Sequence, residues 1–93
     1  MWKVEKTKKV EKQLQKLPTN AQFAFHLLLK EIEQSGPYRS NWPNYGPLKG
    51  SKDTFHCHIK KGKPTYVACW NIKDKTIKLT EVFYVGTHEK APY

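Results

Sequence analysis

The hydrophobic period of this chain changes once, and the change falls across GPYRSNWPNYGPLKG, residues 36 to 50. Ahead of that segment the apolar residues recur at helical spacing. Val10, Leu14 and Leu17 stand four and three apart with lysines around them, and Phe23, Leu27 and Ile32 mark a second, longer stretch. Behind it, apolar and polar residues alternate as in strands, over Thr54 to Lys60, Thr65 to Ile72 and Thr76 to Val85, with KKGKP and KDK as the turns between them. Pro18 ends the first helical pattern, Thr19 with Gln22 reads as a capping box for the second, and that second helix ends near Gly36-Pro37. At the N-terminus WKVEKT alternates Trp2 and Val4 against Lys3 and Glu5, which suits a short first strand. The order strand, helix, helix, strand, strand, strand predicts an α+β fold: a single domain over residues 1–93, with a helical hairpin packed on one face of a mostly antiparallel sheet of about four strands. The segment where the period changes holds three of the five glycines and three of the six prolines, so no regular element is expected there, while Tyr38, Trp42 and Tyr45 should pack it down on the core.

A chain of 93 residues supports one modest core. Its 17 lysines and arginines against 8 acidic residues give a formal charge of +9, a field that attracts polyanions. The N-terminus MWKVEKTKKVEK lacks the apolar run of a signal peptide, and the densest apolar stretch, Phe23 to Leu29, is too short to span a bilayer, so a soluble, cytoplasmic protein with no membrane partner is expected. Cys57 and Cys69 lie outside any CxxC or CxxH spacing and read as two small buried hydrophobes.

Chemistry concentrates in TFHCHIK. Alternation turns Phe55, Cys57 and Ile59 toward the helices and His56, His58 and Lys60 to the other face, with Lys52 in line and Lys61 and Lys63 following. In the last strand Ile77, Leu79, Phe83 and Val85 form the apolar set, leaving Lys78, Thr80, Val82 and Tyr84 on the histidine side, and the chain continues as VGTHEKAPY. Trp70 belongs to the core unless Cys57 sits opposite Cys69, in which case it joins His56 and can stack a base. A zinc site would need a third and fourth ligand that no Cys or carboxylate supplies at suitable spacing. The other readings are scattered surface histidines and acid/base chemistry on a polyanion. An imidazole titrates near neutrality and a neighbouring lysine stabilises a phosphate. RNA carries its own nucleophile, the 2′-OH, so its cleavage requires a base, an acid and a cation, with no metal or cofactor. Ser35, Ser40 and Ser51 show no nucleophile-elbow pattern.

Across nearly its whole length the chain resembles the RelE/ParE toxin superfamily, and within it the YafQ-like and RelE-like ribosome-dependent mRNA interferases. The motifs that carry the resemblance are QLQKLP at the helical corner, PLKG at Pro47 to Gly50, CHI at Cys57 to Ile59, and GTH at Gly86 to His88. The resemblance implies a type II toxin, a metal-independent endoribonuclease that cuts mRNA in the ribosomal A site, with an antitoxin protein, mRNA and ribosomal RNA as partners. It implies His58 and His88 as the catalytic acid and base in unassigned order and Tyr93 at the scissile phosphate. From the strand faces, His56 is expected to complete the catalytic group by holding the phosphate, with Lys52, Lys60, Lys61, Lys63, Lys78 and Tyr84 on the RNA. Where such toxins carry a Tyr-Arg pair this chain has Tyr66-Val67, and in place of an Asp-Trp pair it has Gly62-Lys63; Lys60, Lys61 or Lys78 is expected to replace the arginine. A ParE-like gyrase poison and a noncatalytic basic RNA-binding domain are the alternatives.

Overall fold

The structure is a computed structural model that describes all residues from Met1 to Tyr93. Its elements are β1 (Lys3–Lys6), α1 (Lys8–Gln15), α2 (Thr19–Ser35), β2 (Gly46–Pro47), β3 (Thr54–Lys60), β4 (Tyr66–Asp74) and β5 (Leu79–Thr87), followed by one 3₁₀ turn at His88–Lys90. The sheet has five strands in the order β1-β5-β4-β3-β2. Three of its pairings are antiparallel, and β1 lies parallel to β5. The expected α+β class with a helical pair on one face is what forms. The additional strand, β2, falls inside the glycine- and proline-rich segment, which was expected to hold no regular element.

Thr7 caps α1 by accepting a hydrogen bond from the Val10 amide at 3.1 Å, and Val10 is fully buried against the sheet. The second helix starts differently from the expected capping box. Pro18, at φ −60° and ψ 155°, already supplies the extended geometry of an N-cap, so Thr19 becomes the first helical residue and caps nothing. Gln22 instead reaches back to donate to the Leu17 carbonyl at 2.9 Å. The buried stripe of α2 is Ala21, Phe25, Leu28, Leu29 and Ile32, while Phe23 and Leu27 are 81% and 54% exposed. No helix is long and apolar enough to cross a membrane.

Strand register decides which residues meet water. Phe55 pairs with Trp70, His56 with Cys69, Cys57 with Ala68 and His58 with Val67. Cys57 is therefore not opposite Cys69, and Trp70 is fully buried on the helix side, where its indole Nε1 donates to the Pro37 carbonyl at 3.0 Å. Both cysteines are free and fully buried, one on each side of the sheet.

In β5 the simple alternation fails. Cys69 faces Tyr84 but Trp70 faces Val82, so Phe83 is an extra residue, a bulge that reverses the parity of the strand. Before it Thr80 and Val82 point to the helices, and after it Val85 does. The apolar set expected from alternation is corrected accordingly: Val82 joins Val85 in the core, Phe83 does not, and Ile77 lies ahead of the strand, 59% exposed.

The long connection between α2 and β3 is tied at both ends. One carboxylate oxygen of Glu31 accepts from the Asn41 amide at 2.9 Å, the Trp42 indole at 2.9 Å and the Arg39 guanidinium at 3.3 Å. The Pro43 carbonyl then accepts from the His58 amide at 2.8 Å, and Gly46 pairs with His56. The connection thus covers the edge of β3 that would otherwise be open. Tyr45 and Trp42 pack on the core as expected, whereas Tyr38 meets Phe55 edge-on and stays 55% exposed. The donors around Glu31, Asn41 first, hold its carboxyl below the usual range. Its contribution is therefore present at neutral pH and is lost as pH falls through that lowered pKa. Glu31→Ala is expected to cost about 1–2 kcal/mol, read as a fall of roughly 5–10 °C in Tm at pH 7. The deficit against the parent protein should shrink as the melt is repeated toward pH 3.

Candidate active site

The face of the sheet turned away from the helices is floored by Val67, Cys69 and Tyr84, all buried, with Phe83 and Ala91 packed against them. On this apolar floor stand His56 and His58, two residues apart on β3, each partly buried. The 3₁₀ turn brings His88 over the same floor, because the His88 amide donates to the Thr65 carbonyl at 2.8 Å and so fastens the turn to the start of β4. The rings of His58 and His88 meet edge to face with centroids 5.4 Å apart. Tyr93 folds back across the site, 4.4 Å from the His56 ring at an interplanar angle of 31° and 5.9 Å from the His88 ring at 83°. Four side chains from two distant stretches of sequence form one cluster.

Burial pushes the His58 imidazole below the usual histidine range, and the charges of His88 and Lys61 push it further. For His56 burial again dominates, followed by His58 and His88; its Nδ1 is buried with no hydrogen-bond partner. Burial likewise raises the Tyr93 phenol to about 12, so it acts as a neutral hydroxyl and a ring rather than as an anion. A neutral imidazole beside a cationic rim is suited to accept a proton from a substrate hydroxyl at neutral pH. The three histidines form no ligand set for a metal ion, and no group of three or more His, Cys, Asp or Glu side chains does so elsewhere.

The lysines divide. Lys61 lies close enough to His58 to act on its titration, and Lys63 lines, with Gly62, Pro64, Thr65, His88 and Glu89, an open cavity of about 530 Å³ beside the cluster. Lys60 does not continue the histidine line. A bulge between His58 and Lys60 sets it opposite Tyr66, whose ring packs against the helix-side core. Lys52 sits in the bend that precedes β3, outside the strand and six residues from His58. Lys78 lies ahead of β5 with φ 55°, its carbonyl bound to the Lys3 amide, at the end of the sheet away from the cluster. It stands about 20 Å from Tyr84 by strand geometry and cannot replace an arginine here. Tyr84 is on the histidine face as expected, but it is 7% exposed, and its hydroxyl donates to the Thr87 carbonyl at 2.7 Å. It supports the turn from below rather than presenting itself to a substrate.

Two functional positions escaped the alternation argument. Gly86 is one: a Cβ there would come within 2.7 Å of the Tyr84 hydroxyl, so glycine is what allows the ring to lie over β5 and hold Thr87, the residue that precedes the His88 turn. The GTH motif therefore has a mechanical reason. Pro43 is the other, since its carbonyl fixes the backbone of His58.

No protein-family model and no curated protein matches this sequence. Solved structures do. A chain of the archaeal RelE–RelB complex of Pyrococcus horikoshii is 18% identical with a TM-score of 0.75, over 97% of this chain and 98% of that one. The isolated Escherichia coli RelE toxin is 18% identical with a TM-score of 0.73, over 99% and 89%. This chain has the RelE fold. A toxin-antitoxin complex of Mycobacterium tuberculosis also aligns with this RelE-fold chain, at 21% identity and a TM-score of 0.58 over 94% and 98%. At the position where the resemblance calls for arginine, this RelE-fold chain has Val67, fully buried and paired with His58, and the lysine whose charge acts on His58 is Lys61 of the β3–β4 turn.

Two outcomes test the construction of the site. Gly86→Ala must displace the Tyr84 ring, and overpacking of this kind costs about 1–3 kcal/mol; a melting temperature equal to the parent's would show that Tyr84 does not need the space. Because His56 and His58 have pKa values lowered by folding, the unfolded chain binds more protons as pH falls below the ordinary histidine value near ~6.5. Stability should accordingly decline as pH falls below about 6.5, and His56→Phe should flatten that limb in denaturant titrations.

Proposed function

We propose that this protein is a type II toxin that cleaves mRNA in the ribosomal A site, with an antitoxin protein as its neutralising partner. The reading rests on one observation above the others, the His58–His88 pair set 5.4 Å apart on an exposed sheet face with Tyr93 across it. The RelE fold, shared with proteins solved as toxin-antitoxin complexes, and the charge of +9 support it.

In this reaction the 2′-OH of the substrate attacks the adjacent phosphorus and the bond to the 5′ oxygen of the next nucleotide breaks. The products are a 2′,3′-cyclic phosphate and a 5′-hydroxyl. His58, kept neutral at pH 7 by burial and neighbouring charge, takes the proton from the 2′-OH. His88, on the exposed turn, gives a proton to the departing oxygen, so one proton is taken and one returned. Lys61 and Lys63 offset the negative charge that builds up on the non-bridging oxygens, and His56 helps to hold the phosphate. Tyr93, tilted against His56, offers its ring to a base and its neutral hydroxyl to the phosphate. Lys60, Lys78 and Lys52 are left outside this mechanism by their positions in the fold.

The test is incubation of the protein with programmed ribosomes and end-labelled mRNA, beside His58→Ala and His88→Ala variants. Cleavage confined to the A-site codon is expected, falling about 10²–10⁴-fold in each variant. The acid limb of the pH–rate profile should lie below the ordinary histidine value, because the His58 pKa is lowered. Intact mRNA with the parent protein, or undiminished cutting by both variants, would overturn the reading in favour of a gyrase poison or a noncatalytic RNA binder.

A further inference from the structure

We infer that a lysine-rimmed notch between α1 and the free edge of β5 is a second subsite for single-stranded RNA, holding the backbone next to the nucleotides at the histidine cluster. The inference deepens the proposed RNA-cleaving function and rests on it.

The notch follows from where β1 stops. β1 pairs with β5 only as far as Lys6 opposite Val82, so Tyr84 to Thr87 have no strand neighbour on that side. Helix α1 runs past this edge and turns Lys9, Gln13 and Lys16 toward it, residues spaced four and three apart and so on one helical face. Lys90, from the 3₁₀ turn, closes the rim, and Tyr66 forms part of the wall; the cavity measures about 430 Å³.

An open strand edge usually invites another strand. Here the edge is already occupied. The Val85 amide donates to Gln13 Oε1 at 3.1 Å, and the Thr87 carbonyl accepts from the Tyr84 hydroxyl at 2.7 Å. An added strand would have to break both bonds. What the notch offers instead is three ammonium groups, since the ion pairs of the molecule engage Arg39, Lys73 and Lys75 and none of these three, and no acidic residue lines the cavity. Ammonium groups beside a partly exposed tyrosine ring match a phosphodiester with its base, the combination used for single-stranded nucleic acid.

Position links the notch to the cluster. Lys90 lines the notch, while His88, two residues earlier on the same turn, belongs to the histidine cluster. Two residues of 3₁₀ helix rise about 4 Å. A strand with its scissile phosphate at His88 therefore passes over a single turn into the notch.

Binding of fluorescently labelled 2′-O-methyl RNA, which cannot be cleaved, tests this between 50 and 200 mM salt with a trinucleotide and an octanucleotide. The parent protein is expected to bind the octanucleotide at least tenfold more tightly. Lys9→Ala/Lys16→Ala, both exposed positions, should lose that margin, leave the trinucleotide unchanged, and lower the salt slope of octanucleotide binding by about 1.4 at roughly 0.7 per lost contact. Lys30→Ala/Lys49→Ala, which removes the same charge elsewhere, should retain margin and slope. An equal loss in both double variants, no loss in the first, or no preference of the parent for the octanucleotide overturns the subsite. Tighter capture of an acidic decapeptide than of the octanucleotide, abolished by Lys9→Ala/Lys16→Ala, would give the notch to a protein partner instead. A-site cleavage that fails while octanucleotide binding depends on Lys9 and Lys16 would sink the catalytic reading and leave the notch standing.

Discussion

Everything on the histidine face depends on Trp70 being on the other one. The indole is fully buried between the sheet and the helices, near-parallel to Tyr45 and tilted against Phe55, with centroids 6.2 Å away in each case, and its Nε1 is satisfied by the Pro37 carbonyl. A side chain of that size has one register in which it fits, and that register makes Phe55 its partner. From there the ladder runs on without choice: His56 lies opposite Cys69 and His58 opposite Val67. The carbonyl that receives the indole belongs to the segment after α2, so the helix end, the connection and the strand register are fixed together.

That dependence explains what could be read from residues alone. The period change across residues 36 to 50 identified the helical pair and the long strands, and the alternation in Thr54 to Lys60 separated the core residues Phe55, Cys57 and Ile59 from His56 and His58. Bulges defeated the same reasoning elsewhere. The extra residue at Phe83 and the shift between His58 and Lys60 leave no mark in an apolar pattern, because they are set by how one strand meets its neighbour rather than by either strand's own period. Lys60 was placed with the histidines for that reason, and Val82 away from the core. Lys78 failed differently: its spacing suited a strand, but it is the last residue of the turn after β4, and the strand begins only at Leu79. The two-residue strand β2 consists of Gly46 and Pro47, which no propensity argument assigns to a sheet; it exists because β3 has an open edge to fill.

The site shows how a small basic domain keeps imidazoles neutral. The floor of Val67, Cys69 and Tyr84 removes water from one side of each ring, and the surrounding positive charge acts in the same direction. The Cys69 thiol in that floor is itself pushed up to about 12 by burial, so it contributes bulk and no charge. Arginine at the Val67 position would place a cation in this floor. With valine there, the exposed Lys61 and Lys63 of the β3–β4 turn lie at the rim, in contact with water.

The bulge at Phe83 lets one strand serve two layers of the protein. Up to Val82 the even-numbered residues of β5 belong to the core; from Tyr84 onward the even-numbered residues belong to the site. A single supernumerary residue works as a phase shifter, much as a half-step in a screw thread changes which side a mark faces. The two halves of β5 are thereby uncoupled: the first can vary under the demands of packing on β1 and the helices, and the second under those of chemistry, without either pattern imposing its parity on the other. Any comparison of this strand between related chains has to be made in two frames, joined at residue 83.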